Sequence, residues 1–145
     1  MSGGRTWIFF YGTFMDPAVL RGQGIDCNEV VPAKLNGYEL RLRPRGNLVA
    51  NDRTAVYGSI ARLKHEEIAQ LYRNLDERWG LKYLPEAVLV ETFDGAFMPA
   101  LVYIVPYMED SPPDPAYVTQ MVAAAKAIGL PEWYGEFLES LRSQI

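Results

Sequence analysis

Two dipeptides constrain the fold of this chain more than anything else in it: Asn36-Gly37 and Asp94-Gly95, each set between runs of strand-forming residues. Such pairs tolerate the positive φ that tight hairpin turns demand, so each predicts flanking strands that run antiparallel. Asn36-Gly37 divides Val30–Leu42 into two strand-like pieces, and Asp94-Gly95 hinges strands over about Tyr83–Thr92 and Phe97–Val105. Upstream, Trp7-Ile8-Phe9-Phe10-Tyr11 is aromatic and β-branched without alternation and stops at Gly12, the pattern of a fully buried strand. Ala55–Leu63 alternates enough to be another strand. Between them Pro44–Asp52 reads as a loop, with Gly46-Asn47 and Asn51-Asp52 as its turn residues.

Helical spacing is confined to four places. Asp16-Pro17 offers an N-cap followed by proline at the first helical position, opening a short helix that Gly22 and Gly24 end. Ile68, Leu71, Tyr72 and Leu75 make one apolar stripe over Lys64–Leu75. After the rigid approach Ser111-Pro112-Pro113, Asp114-Pro115 repeats the cap signal, and Val118, Met121, Val122, Ala125 and Ile128 follow until Gly129. Pro131 opens a last helix with Tyr134, Phe137, Leu138 and Leu141 inward. Hairpin signals outnumber strand–helix–strand signals, which predicts an α+β fold with a mostly antiparallel, curled sheet or small barrel and helices around it. No repeat, low-complexity tract or long linker divides the 145 residues, so Met1–Ile145 is expected to form one domain.

Composition excludes several function classes. A formal net charge of −4 leaves no electrostatic footprint for nucleic acid. The nearest thing to a basic cluster is Arg41, Arg43, Arg45 and Arg53. A solvated strand face and a pocket for an anionic group both fit it. Cys27 is the only cysteine and His65 the only histidine, so no intrachain disulfide and no zinc-ligand spacing is available, and no metal is expected. The apolar run after Thr6 is too short for a signal-peptide core or a membrane span. The expectation is a cytoplasmic protein with no membrane partner.

The most informative site for chemistry is the strand–turn–helix Phe10-Tyr11-Gly12-Thr13-Phe14-Met15-Asp16-Pro17. A strand that ends at glycine and runs into a helix start leaves several backbone N–H groups pointing one way, an arrangement that favours a carboxylate or a phosphate. Gly12 permits close backbone approach, and Thr13 adds a hydroxyl.

These residues also carry a family resemblance. Tyr11-Gly12-Thr13-Phe14 resembles the YGSN/YGTL-type loop of the γ-glutamylcyclotransferase and AIG2-like families. Leu75-Asp76-Glu77-Arg78-Trp79-Gly80, with Tyr83 beyond, is similar to their L-D-x-x-E-G…Y stretch. Tyr107–Tyr117, with Pro112-Pro113 inside it, and then Gly129-Leu130-Pro131 are similar to their Tyr-x-x-x-x-Pro-Pro-x-x-x-Tyr and G-L-P sequences. The resemblance implies a small mixed barrel with packed helices and an enzyme without cofactor or metal. Its substrate would be a γ-glutamyl amine or amino acid, whose own α-amine attacks the γ-carbonyl to give 5-oxoproline and a free amine. Such an attack is intramolecular and entropically favoured, so one positioned proton carrier can supply much of the rest.

Carried over by position, the resemblance makes Tyr11, Gly12, Thr13 and Phe14 the substrate loop. Tyr83 becomes a tyrosine beside the catalytic acid, and Tyr117 the one after the Pro-Pro segment. Two positions depart from the pattern. Phe14 stands where Asn or Leu is usual, and the family's catalytic glutamate falls on Trp79, whose indole donates a hydrogen bond but takes no proton. Glu77, two residues earlier, and Glu86, on an otherwise apolar strand, are the candidate replacement acids. Glu91, near that strand's end, reads as a surface residue. Three functions follow: a cyclotransferase-type enzyme with a relocated acid–base group, a non-catalytic protein of the same fold that binds γ-glutamyl compounds or carboxylates, or a related amide-processing enzyme of a biosynthetic or catabolic pathway. Residue 79 discriminates between the first two.

Overall fold

The computed structural model describes residues 4–27, 29–107 and 111–143. Five strands close into a barrel: β1 (Arg5–Phe10), β2 (Val31–Leu42), β3 (Gly46–Lys64), β4 (Leu84–Thr92) and β5 (Phe97–Ile104), in the order β1-β3-β2-β4-β5. All neighbours pair antiparallel except β1 and β5, whose short parallel contact of Ile8 with Leu101 and Phe9 with Val102 closes the ring. The unalternating apolar run of β1 has its explanation in this position. Ile8, Phe9 and Phe10 are all buried, held between β3 on one side and β5 on the other.

Helices cover the barrel: α1 (Pro17–Gly22), α2 (His65–Trp79), α3 (Pro115–Ala127) and α4 (Glu132–Ser140). The Asp-Pro signals work as expected. Asp16 accepts from the Ala18 N–H at 2.9 Å and Asp114 from the Ala116 N–H at 3.0 Å, each with proline at the first turn. α3 and α4 bury Val118, Met121, Tyr134 and Leu138 into the common core. Tyr134 also accepts from the Tyr57 N–H at 3.2 Å, which ties α4 to β3. No helix among the described residues is long and apolar enough to cross a membrane.

Three expectations need correction. Asn36-Gly37 makes no hairpin, because β2 runs on through it. Asn36 pairs with Ala55 and Tyr38 with Ala50, so Gly37 (φ 88°) and residues 51–54 opposite form an irregularity that bends one long ribbon. Asn51-Asp52 does mark this break, with Asn51 accepting from the Arg53 N–H at 3.0 Å. Second, most of the expected loop Pro44–Asp52 is strand, and only residues 43–45 separate β2 from β3. Gly46-Asn47 does not turn; the buried Asn47 amide donates to the Val105 carbonyl and accepts the Val105 N–H, both at 2.9 Å, replacing a rung of ladder where β5 ends. Third, α2 continues past Leu75 to Trp79 and ends on Gly80, whose left-handed φ of 68° lets its N–H reach the Asp76 carbonyl at 2.8 Å. That extra turn carries Glu77 and Trp79 on a helix.

The chain leaves β1 over Gly58 of β3, where the two backbones touch. A Cβ built on Gly58 would stand 2.0 Å from the Phe10 carbonyl oxygen, an atom that cannot swing aside. Beside it the buried Ser59 hydroxyl donates to the Met15 carbonyl at 2.8 Å and fixes the turn after β1. Gly58→Ala is therefore expected to lower stability by at least the ~1–3 kcal/mol typical of overpacking. Gly22→Ala, where an added Cβ meets nothing within 4 Å, should be close to neutral. Urea unfolding of the two variants beside wild type measures the difference.

Candidate functional site

The turn after β1 passes through Gly12 into a single 3-10 turn, Thr13–Met15. Its backbone bonds are donated by Met15 and Asp16 to the carbonyls of Gly12 and Thr13. The amides of Gly12, Thr13 and Phe14 thus precede the first donor of the turn. They border a chamber of about 40 Å³ at one end of the barrel, completed by Arg45, Gly46, Leu75 and a set of tyrosines: Tyr11, Tyr72, Tyr83, Tyr103 and Tyr117. A volume of that size takes a group on the scale of a carboxylate or a few waters.

Each phenol is positioned by a named contact. The Tyr11 hydroxyl donates to the Tyr103 carbonyl at 2.7 Å, and the Tyr83 hydroxyl to the Gly46 carbonyl at 2.6 Å. Tyr72, on the apolar stripe of α2, stacks on Tyr103 with centroids 4.0 Å apart and rings 11° from parallel. Tyr117 reaches in from α3 and sets its hydroxyl between the two glycines. A Cβ on Gly12 would lie 2.3 Å from that oxygen, and one on Gly46 would lie 3.0 Å from it. The oxygen faces the backbone N–H groups of Gly46 and Thr13. Burial holds all five phenols above their ordinary range, the more so for Tyr11 and Tyr72 because neighbouring tyrosines oppose ionisation. The Arg45 cation and the two amides pull Tyr117 back only in part. At neutral pH every phenol keeps its proton and acts as a neutral hydroxyl.

A larger cavity of about 700 Å³ adjoins the chamber and shares Thr13, Phe14, Arg45, Leu75 and Tyr117 with it. This vestibule is further lined by Glu77, Arg78 and Trp79 from the last turn of α2 and by Asp114, Ala116 and Gln120 around the start of α3. Trp79 is 46 % exposed and lines the vestibule without entering the chamber. The guanidinium of Arg45 lies over its ring at 4.6 Å and over the ring of Tyr117 at 4.4 Å.

The residues singled out from sequence thus divide into three groups. Tyr11, Gly12, Thr13, Phe14, Tyr83 and Tyr117 surround one chamber. Glu77 and Trp79 stand at the vestibule outside it. Glu86 lines neither cavity; it is exposed on β4 and accepts from the Tyr38 hydroxyl at 3.3 Å. Glu91 is also outside, paired with Lys34 at 3.7 Å and accepting from Asn36 at 3.1 Å. Sequence reasoning missed Tyr72, Tyr103 and Gly46 as site residues, since a helix stripe, a strand alternation and a supposed turn explained them. Arg45 was visible only within its cluster. Arg41 pairs with Glu39 at 2.6 Å, whereas Arg45, just past the cis Arg43–Pro44 peptide, turns inward.

The contact of Gly12 with Tyr117 is testable by itself. Gly12→Ala is expected to cost ~1–3 kcal/mol by displacing the Tyr117 hydroxyl. In a Tyr117→Phe background the next atom stands 3.5 Å away, an ordinary contact, so most of that cost should vanish. A double-mutant cycle by urea unfolding reads the coupling; additive costs would show that the two residues do not meet.

The chain matches the family described as gamma-glutamyl cyclotransferase, AIG2-like, over residues 8–120, which spans the loop, the described lining of both cavities and the start of α3. No curated protein matches it. Among solved structures it is similar to one named gamma-glutamyl cyclotransferase, with a TM-score of 0.81, 20 % identity, and 94 % of this chain and 87 % of that chain covered. YkqA from Bacillus subtilis gives a TM-score of 0.78 at 23 % identity, covering 97 % of this chain and 55 % of that one. A gamma-glutamyl cyclotransferase specific to glutathione from yeast gives 0.67 at 12 %, covering 97 % and 95 %. At these identities the structures speak for the fold, and the family match reaches further: the chain is a member of the gamma-glutamyl cyclotransferase, AIG2-like family.

Proposed function

We propose that this chain binds γ-glutamyl amines or γ-glutamyl amino acids, with the α-carboxylate end in the chamber, and converts them to 5-oxoproline only slowly. The observation that carries this reading is the chemistry of the chamber wall: none of the described residues lining it is Asp, Glu or His. Cyclisation requires the α-amine nitrogen to bond to the γ-carbonyl carbon while the bond from that carbon to the leaving nitrogen breaks. The attacking amine must shed a proton and the leaving amine must gain one. The neutral phenol of Tyr117 can donate to the developing oxyanion, whereas the protons of Tyr11 and Tyr83 are committed to the Tyr103 and Gly46 carbonyls. Phenols that burial keeps protonated do not take up the amine's proton. Where the family resemblance expects a carboxylate, Trp79 presents an indole against Arg45. The loop amides, the glycine-permitted close approach and the tyrosine hydroxyls remain suited to holding a carboxylate and a bent γ-glutamyl chain.

A second reading has one observation in its favour. Glu77 lines the vestibule with Thr13, Arg45 and Tyr117, which puts a carboxylate of the last turn of α2 beside the chamber. Glu86 has no such placement and serves as a control.

Release of 5-oxoproline from γ-glutamyl dipeptides and amines, with binding followed in parallel, separates the readings. Wild type is expected to bind and to turn over slowly. Trp79→Glu is expected to raise the rate by about 10²-fold, the lower end of the range for general acid–base groups, because Arg45 would hold the new carboxylate in its weakly basic form. Glu77→Gln and Glu86→Gln should change little. Fast wild-type turnover abolished by Glu77→Gln would establish the relocated acid instead, and absence of any binding would remove the γ-glutamyl reading altogether.

A further inference from the structure

Among the described residues Arg45 is the one cation that lines both the chamber and the vestibule. It is half-buried, and its guanidinium lies over the rings of Trp79 and Tyr117, at 4.6 and 4.4 Å. No ion pair or hydrogen bond among the described residues engages its N–H groups. The other arginines of the cluster are satisfied differently: Arg41 by Glu39, and Arg43 by contacts that include the Leu42 carbonyl. A guanidinium held against aromatic rings keeps its charge and its fork of donors available, and is pre-organised for a carboxylate.

Its place at the boundary decides which carboxylate. On the reading proposed above, the loop amides of Gly12 and Phe14 take the α-carboxylate of the γ-glutamyl group, the Thr13 N–H being directed at Tyr117 Oη. The chamber, at about 40 Å³, has no room for much beyond that end. The rest of the ligand, from the scissile amide outward, must lie in the vestibule of about 700 Å³ and pass Arg45 on the way. The vestibule acids do not cancel this cation. Asp114 is engaged by the Ala116 N–H as the cap of α3, and neither Asp114 nor Glu77 lies within ion-pair distance of Arg45.

We infer that Arg45, steadied by Trp79 and Tyr117, is a specificity residue that reads a carboxylate on the leaving side of the ligand, so that γ-glutamyl amino acids are preferred over γ-glutamyl amines. The inference rests on the γ-glutamyl reading of the chamber and adds the class of leaving group. It also gives residue 79 a role besides the loss of an acid: the indole is one wall of the arginine's seat.

The test compares two ligands that differ only in that carboxylate, γ-glutamyl-alanine and γ-glutamyl-ethylamine, by calorimetric titration. Wild type is expected to bind the first at least about tenfold more tightly, as a charge-assisted pair gives. Arg45→Gln should bring the two affinities to within about twofold of each other, and Arg45→Lys should keep part of the preference, having the charge without the planar fork. Because the readout is a ratio on one folded protein, damage to the chamber would weaken both ligands and leave the ratio standing. Equal affinities in wild type, or a preference that survives Arg45→Gln, would overturn the inference while leaving the γ-glutamyl reading intact. Binding of neither ligand to wild type would overturn both.

Discussion

The geometry at the open end of the barrel depends on one buried hydroxyl. Tyr117 Oη sits where Gly12 and Gly46 leave room for it, against the backbone N–H groups of Thr13 and Gly46. Through that atom α3 is locked to the turn after β1 and to the start of β3, three parts of the chain that share no hydrogen-bonded ladder at this point. The ring that carries the hydroxyl supports Arg45 on its way into the cavity. Neighbouring contacts reinforce the arrangement: the two-way bond between Asn47 and Val105, and the Asp114 N–H to the Pro44 carbonyl at 3.3 Å. A side chain at residue 12 or a displaced ring at 117 would disturb the chamber from both sides.

Much of this was legible in the sequence, and what was not has physical causes. The β1 run, the Asp-Pro caps and the Asp94-Gly95 hairpin report local forces that act wherever the chain is placed, and they gave the strand, the helix starts and one turn correctly. Asn36-Gly37 misled because positive φ serves a bulge as readily as a hairpin, and only pairing with the opposite strand selects between them. Gly46-Asn47 misled because the Asn amide bonds to Val105, 58 positions away in the chain, a tertiary contact that overrides turn preference. At the site, the loop Tyr11–Phe14 could be found from its local pattern. The inward turn of Arg45 could not, since nothing in the alternation of Arg41 and Arg43 says where the third arginine points once the strand ends.

The described wall of the chamber sets the loop after β1 and a ring of tyrosines beside Arg45, and no Asp, Glu or His is among those residues. Burial penalises the phenolate and so keeps the tyrosines protonated, and the same burial strengthens their hydrogen bonds. The cation at the mouth is supported by the Trp79 indole. Membership of the gamma-glutamyl cyclotransferase, AIG2-like family rests on residues 8–120, which include the loop after β1, the chamber and Trp79.

A crystal structure of the wild-type protein, frozen soon after soaking with γ-glutamyl-alanine, tests that account most directly. The account predicts an intact ligand, its α-carboxylate against the Gly12 and Phe14 amides and its amide bond uncleaved beside Arg45. Bound 5-oxoproline with the alanine already released, or a ligand seated anywhere outside the chamber, would contradict it.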